Sequence, residues 1–387
     1  MRKYRILFLC LWVLSLAAIS FYGGVISYGF FFGMSFLPVI SLVYISCVYF
    51  RFKIYQELGS RNMVCGQPED YTFILQNENL FAFSGVSVRL FSDFSYVEEL
   101  PGSLEYELLP GDRFTYRTRL VCRYRGEYEV GIREVVVTDF LRLFRVSYAN
   151  PGTIKAIVRP RLVQLDELKG MEEFQAPLQR EILSGTEPDI LVRDYREGDS
   201  LKQIHWKAAA RQGKLLTRTR MGEEKRGISL FCDMTRYGRK AEEYLPLENR
   251  MLETLLALGY FFVRRDMGFS ACYSQRGPVR KTVRGMKDFD EFYQSVSMAV
   301  FGENGDLLDL AGQVTAQGGL WENRMVFFVL HELDQRMMEA TQKLAAGGMT
   351  VVVYAVTDSD VREYIRQSGG RRRILQIPIE EPLEGRL

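Results

Sequence analysis

From Ile6 to Phe50 the chain carries no charged side chain, and basic residues bracket the stretch: Arg2, Lys3 and Arg5 before it, Arg51 and Lys53 after it. A bilayer core takes roughly 20 apolar helical residues. The run therefore holds two spans, residues 6–22 and 30–50, turning around Gly23, Gly24, Ser27 and Gly29. Lys and Arg close to span ends are retained on the cytoplasmic side, so this reading predicts a multi-pass protein of the cell membrane with both ends, and the soluble domains, in the cytoplasm. A cleaved signal peptide is the competing reading, because Arg2 and Lys3, the apolar run and Ala18-Ile19-Ser20 imitate its three regions. Even then the second apolar segment would stop transfer and leave the body in the cytosol. Pro38 falls within the second span, where a kink is tolerated if neighbouring groups satisfy the freed carbonyl.

Beyond this hairpin (residues 1–53) the chain has room for two ordinary domains. With 50 basic and 48 acidic residues the formal net charge is +2, too small to mark a nucleic-acid binder or a trap for acidic substrates. Cys10 and Cys47 lie in the spans, while Cys65, Cys122, Cys232 and Cys272 show neither zinc-knuckle nor disulfide spacing. They read as free, buried thiols.

Residues 54–165 read as strands. Tyr71, Phe73 and Leu75 alternate with Thr72, Ile74 and Gln76, Val86 and Val88 with Ser87 and Arg89, and Phe114 to Cys122 interleaves aromatic, Thr and Arg residues. Such period-two patterns, broken at Gln76 to Asn79, Pro101-Gly102 and Pro110-Gly111-Asp112, predict a β-sandwich of immunoglobulin type. No Cys, Trp, Cys arrangement marks a true immunoglobulin domain.

Residues 166–226 form a linker and signature segment. Its polar opening leads into Arg193-Asp194-Tyr195-Arg196-Glu197-Gly198-Asp199-Ser200, then Ile204-His205-Trp206-Lys207-Ala208-Ala209-Ala210-Arg211 and Gly213. Gly198 permits a tight turn, Asp199 or Ser200 caps a short helix, and Gly213 ends it. Leu201, Ile204 and Ala208 share one helical face; Lys207 and Arg211 stand on another. Arg218 and Arg220 of a following strand, residues 215–220, join Arg193, Arg196, Lys207 and Arg211 in a basic cluster. Such a cluster suits an acidic partner surface or a phosphate. Internal pairing with Asp194, Glu197, Asp199, Glu223 and Glu224 is the more ordinary arrangement, and an aromatic pair such as His205 and Trp206 on a short amphipathic helix is more often core or half-core.

Residues 227–387 alternate strand and helix. Apolar strands at 228–232, 269–273, 325–330 and 350–356 are interleaved with helical stretches at 242–265, 287–298, 334–345 and 358–367, which predicts an α/β domain whose parallel sheet is covered on both faces. Ligands of such sheets sit beyond the carboxyl ends of the strands. The places to inspect are Asp233 to Tyr237, Ser274 to Gly277, His331 to Asp334, and Thr357 to Asp360.

The run Arg193, Tyr195, Gly198, Asp199, Ile204, His205, Trp206, Lys207, Ala210, Arg211, Gly213 and Leu215 resembles the signature of the family known as domain of unknown function 58. Arg125-Gly126-Glu127-Tyr128 and Asp139-Phe140-Leu141-Arg142-Leu143-Phe144 are also similar to the family's pattern, the latter without its usual Pro and Gly. The resemblance implies a membrane hairpin, a β-rich region, the signature, and a C-terminal domain similar to a von Willebrand factor A domain. It also implies partners: a MoxR-type AAA+ ATPase and often a transglutaminase-like membrane protein. In von Willebrand A domains the first strand end carries an Asp and two Ser, alternating with other residues, that hold a divalent ion. Here the stretch is Asp233-Met234-Thr235-Arg236-Tyr237: Asp233 and Thr235 keep oxygens suited to Mg²⁺, with Glu332 as the later carboxylate, but Tyr237 departs from the pattern and Arg236 adds a positive charge nearby, so the set reads as a degenerate remnant without a cofactor, bound Mg²⁺ being the alternative.

Catalytic motifs are scarce. The chain has two histidines, His205 and His331, and no G-x-S-x-G elbow, H-E-x-x-H helix or phosphate loop. The expectation is a non-enzymatic, membrane-anchored scaffold or assembly factor that binds protein partners. A metal-dependent hydrolase using Asp233, His331 and Glu332 is the alternative, and a nucleic-acid or phosphate binder using the basic cluster the third.

Overall fold

In a computed structural model the described residues are 2–100, 103–169, 190–194, 210, 213–214, 216–220, 227–275, 277–302, 307–316 and 323–383. They divide into two units, Met1–Arg161 and Leu162–Leu387.

The first unit opens with two apolar helices, α1 (Arg2–Tyr22) and α2 (Val25–Arg51), each long and apolar enough to cross a membrane. Gly23 and Gly24, with φ of 53° and 98°, make the reversal between them, a left-handed geometry that glycine adopts without a Cβ clash. Ser27 and Gly29, expected in the turn, lie inside α2 instead, because the two glycines alone reverse the chain. The helices pack antiparallel: Trp12 Nε1 donates to Ser35 Oγ at 3.1 Å, and its ring lies 5.9 Å from that of Phe31. Pro38 is accommodated within α2.

Eleven strands follow: β1 (Lys53–Leu58), β2 (Asn62–Val64), β3 (Pro68–Gln76), β4 (Phe83–Leu90), β5 (Ser95–Val97), β6 (Ser103–Leu108), β7 (Arg113–Cys122), β8 (Gly126–Val130), β9 (Ile132–Thr138), β10 (Arg145–Ala149) and β11 (Ile154–Arg159). They form two antiparallel four-stranded sheets, β1-β3-β7-β5 and β10-β9-β4-β6, and a small sheet β2-β11-β8. The alternation in the sequence places Tyr71, Phe73 and Leu75 of β3 opposite Val86 and Val88 of β4 and Val135 and Val137 of β9 in one shared core. Gly85 supplies a bulge in β4: its φ is 68°, and a Cβ there would lie 2.8 Å from the Thr138 carbonyl.

The upper half of α2 belongs to this core. Ser41, Ile45 and Val48, on one helical face, are fully or almost fully buried, and Ile45 and Val48 pack among the sandwich side chains. Tyr44 Oη donates to the Ala82 carbonyl at 3.0 Å, and Ser41 Oγ donates to the carboxylate of buried Asp139. Asp139 also accepts from Phe144 N at 2.7 Å and Leu141 N at 3.2 Å. From α1, Arg5 Nε donates to the Leu143 carbonyl at 2.7 Å. Sandwich and hairpin are thus joined through polar groups set into an apolar surround, where leaving one unpartnered costs ~1–3 kcal/mol.

In the second unit, β12 (Ile190–Asp194) and β13 (Leu216–Arg220) pair antiparallel, with Arg193 opposite Thr217. The sequence pattern indicated β13 but not its partner. A six-stranded sheet comprises β14 (Gly227–Cys232), β15 (Phe269–Ser274), β16 (Pro278–Val283), β17 (Asn323–Leu330), β18 (Thr350–Val356) and β19 (Arg372–Ile377), in the order β16-β15-β14-β17-β18-β19. All neighbours are parallel except β15 and β16. One face carries α3 (Ala241–Val263) and α4 (Met286–Ser297) over Leu230, Ala271, Phe327 and Tyr354. The other carries α5 (Leu307–Ala316), α6 (Gln335–Ala346) and α7 (Arg362–Arg366) over Phe231, Phe328, Val351 and Val353. Val163 and Leu165, placed by the sequence reading in the β region, are buried in the first of these cores. The expected helix over 358–367 shrinks to α7, because Asp358 and Asp360 bond to the backbone N–H of Ile379 and Arg362 rather than continuing a helix.

Candidate functional site

Counted from β14, the sheet has the doubly wound order 3-2-1-4-5-6. Its connectivity reverses between β14 and β17, and a crevice opens at the carboxyl ends of strands flanking such a reversal. Asp233, Thr235 and Tyr237 follow β14; His331, Glu332 and Asp334 follow β17. The sequence-derived candidates Asp233, Thr235, His331 and Glu332 therefore all fall at the topological switch point.

The backbone beyond β14 is held firmly. Asp233 N donates to the Val329 carbonyl at 2.9 Å, Arg236 N to Gly302 O at 2.7 Å, and Gly302 N to Met234 O at 2.9 Å. Arg236, expected to add positive charge beside the aspartate, turns toward α3: its Nε donates to Glu248 Oε1 at 2.8 Å, and its guanidinium stacks 4.1 Å from the Tyr244 ring centroid. Glu248 is 2% exposed, so that buried carboxylate accounts for the turn.

Asp233 is buried, and both carboxylate oxygens are engaged. Oδ1 accepts from Thr235 N at 2.9 Å, and Oδ2 accepts from Tyr237 Oη at 2.8 Å. The Tyr237 ring also lies 4.7 Å from the His331 ring. Burial, the carboxylate of Asp233 and the charges of Glu332 and Asp334 all push the Tyr237 hydroxyl pKa above its ordinary value, which keeps it a donor. His331 Nδ1 lies 2.7 Å from the Val356 carbonyl, so the ring is tied to the end of β18. Glu332 is exposed, and Asp334 caps α6 by accepting from Met337 N at 2.8 Å.

These contacts decide what the donor set suits. A divalent ion needs several oxygens free to converge on it, yet Tyr237 places a hydroxyl proton against Oδ2, where a cation would draw on the carboxylate. Among the described residues, no three His, Cys, Asp or Glu groups converge as a metal set. The arrangement does not fit Mg²⁺ unless Tyr237 moves away. Asp233, His331 and Glu332 sit at neighbouring strand ends, with the His331 ring held through Nδ1 at the Val356 carbonyl and Asp233 Oδ2 held by the Tyr237 hydroxyl. The sequence contained Tyr237, but only the fold shows its hydroxyl turned back onto Asp233.

Of the signature residues, Arg193 lies on β12. Tyr195, Gly198, Asp199, His205, Trp206, Lys207 and Arg211 lie outside the described residues. The buried pair Ser41 and Asp139 escaped the sequence reading as a pair, although Asp139 stood in the family-like stretch; an uncharged serine in an apolar helix gives no signal until its partner is placed.

No family model matches the chain, and no curated protein matches it. Solved structures similar to part of it include trypsin-activated alpha-2-macroglobulin of Escherichia coli (19% identity, 28% of this chain and 7% of that one, TM-score 0.22). Others are the CARDB domain of PF1109 from Pyrococcus furiosus (14%, 28% and 91%, TM-score 0.20) and a FixG-related protein of Vibrio parahaemolyticus (11%, 28% and 96%, TM-score 0.19). The chain thus spans 7% of the macroglobulin it matches, and at these TM-scores the likenesses carry no argument about what it does.

Proposed function

We propose that this is a membrane-anchored, cytosol-facing scaffold of the domain of unknown function 58 type, with an immunoglobulin-like sandwich and a von Willebrand A-like domain whose β14–β17 strand ends dock a protein partner. The observation that carries the reading is the Tyr237 hydroxyl on Asp233 Oδ2. It turns a strand end of metal-binding type into a closed polar surface flanked by the carboxylates of Glu332 and Asp334. Such a surface suits a direct protein contact better than hydrolysis, and the welded hairpin suits a body held at a membrane. The doubly wound strand order supports the placement. The resemblance of the signature supplies the partner: a MoxR-type AAA+ ATPase, with a transglutaminase-like membrane protein as a second component.

The test is capture of the ATPase by the full-length protein in native membranes, crosslinked with and without ATP. Asp233→Ala, Thr235→Ala and Glu332→Ala combined, in a protein that melts as a folded species, is expected to lose capture. Retained capture would shift the interface to the basic cluster around Arg193, Lys207 and Arg211. Metal-dependent hydrolysis abolished by His331→Ala would favour the enzyme reading instead.

A further inference from the structure

The hairpin is shorter, outside its sandwich contacts, than a bilayer requires. Between the Gly23-Gly24 turn and the first sandwich contact, α2 runs from Val25 to Ile40 and α1 from Tyr22 back to Ile6. At ~1.5 Å per residue each free segment is about 25 Å long, whereas the hydrocarbon core is about 30 Å thick. The helix faces turned away from the sandwich stay apolar and exposed past that point: Ile6 and Leu7 of α1, and Leu42 and Val43 of α2, are about half exposed or more. Apolar surface therefore continues up the helices to the level where the 139–144 turn is fastened to Ser41 and Arg5.

That turn has the composition of an interfacial anchor. Phe140 is 48% exposed, its ring meeting Tyr44 edge-on at 5.5 Å. Arg142 follows in a positive-φ conformation (55°), its guanidinium 5.6 Å from the Tyr4 ring centroid. Arg145, the first residue of β10, is exposed as well. An exposed aromatic flanked by arginines matches the division of the bilayer interface into an acyl boundary and a phosphate layer.

We infer that the Asp139–Phe144 turn of the sandwich is seated in the lipid head-group layer, with Phe140 at the acyl boundary and Arg142 and Arg145 among the phosphates. The occupant of this surface is the lipid of the membrane that the hairpin crosses, so the inference rests on the membrane reading. It goes further by making the sandwich part of the membrane contact rather than a tethered domain. The Ser41–Asp139 and Arg5–Leu143 contacts fix the turn's depth.

Depth-dependent quenching tests this in the full-length protein. In a Cys10→Ala, Cys47→Ala background, a fluorophore sensitive to its surroundings is attached at Phe140→Cys, at Phe32→Cys in the free hairpin, and at Tyr96→Cys in β5, at the edge of its sheet opposite β1. The protein is reconstituted in vesicles of phosphatidylcholine and phosphatidylglycerol carrying a spin label near the head-group end or near the terminus of the acyl chain. The Phe140 probe is expected to lose roughly half its fluorescence to the shallow label and much less to the deep one, as a site buried ~5–10 Å into the interface should. The Phe32 probe should be quenched by the deep label, and the Tyr96 probe by neither. Each variant is first matched to the parent in melting temperature; should Phe140→Cys fail that check, Leu141→Cys on the same turn replaces it. Quenching at Phe32 with none at Phe140 would overturn the inference while leaving the hairpin in the membrane. No quenching at either site would overturn the membrane reading as well.

Discussion

Two buried aspartates in this chain do opposite things with the same group. Asp139 in the sandwich takes a hydroxyl from the apolar helix α2 and two backbone N–H groups from its own turn. Asp233, at the end of β14, takes one backbone N–H and one tyrosine hydroxyl. Of the donors to the first carboxylate, Ser41 is a fully buried residue of the hairpin and the other two are backbone groups of the same sandwich turn. The second is closed by a side chain that rotates, at a strand end beside other carboxylates. A buried carboxylate is thus a weld where its side-chain donor is itself fully buried, as Ser41 is, and an adjustable surface where that donor is only partly buried, as Tyr237 is.

The largest expected effect lies on the weld. Asp139→Ala strands Ser41 Oγ, Leu141 N and Phe144 N together, and should destabilise the full-length protein by ~3–4 kcal/mol in a denaturant titration. Ser41→Ala, which removes one donor, should do less than half of that. Equal effects of the two would mean that the contact between α2 and the sandwich carries no special role.

Next comes the response to alkali, which touches one thiol in each unit. Burial pushes Cys122 in β7 and Cys272 in β15 up to about 11 each. A folded pKa above the unfolded one gives stability that is full below the ordinary thiol value and is lost as pH rises toward about 11. Each should forfeit ~2–3 kcal/mol across that window, with Cys122→Ser and Cys272→Ser flattening it. Both thiols should also ignore a thiol reagent at neutral pH until the protein is denatured, which makes them unsuitable as native topology labels.

Smaller still is Tyr237→Phe, which takes a single hydroxyl from Asp233. A loss of ~1 kcal/mol is expected. In titration calorimetry Tyr237→Ser, which removes the capping ring and places a short hydroxyl after Asp233 and Thr235, should bind Mg²⁺ or Mn²⁺ more tightly than the parent. Equal binding by both proteins would show that Tyr237 does not close the carboxylate.

Much of this architecture can be read from pattern. The charge-free run, the period-two strands around Tyr71 and Val86, and the continuous apolar strands from Ile228 onward each carry the signature of the element they form. Edge strands such as β16, where Arg280, Lys281 and Thr282 run consecutively between Val279 and Val283, carry a weaker one. The candidate carboxylates were identifiable because strand ends follow from strands. Their state was not, since it depends on the direction in which Tyr237 and Arg236 turn, toward Asp233 and His331 in the one case and toward Glu248 of α3 in the other, and no motif reports those contacts. The weld joins residues almost a hundred positions apart, and no local pattern reports such a contact.

A hairpin-anchored body facing the cytosol can be tested by the accessibility of one exposed site in the α/β unit. Val300 is 64% exposed. With Cys10 and Cys47 replaced by alanine, Val300→Cys should react with a membrane-impermeant thiol reagent only after cells are permeabilised. Labelling of Val300→Cys in intact cells would instead place the body on the other side of the membrane.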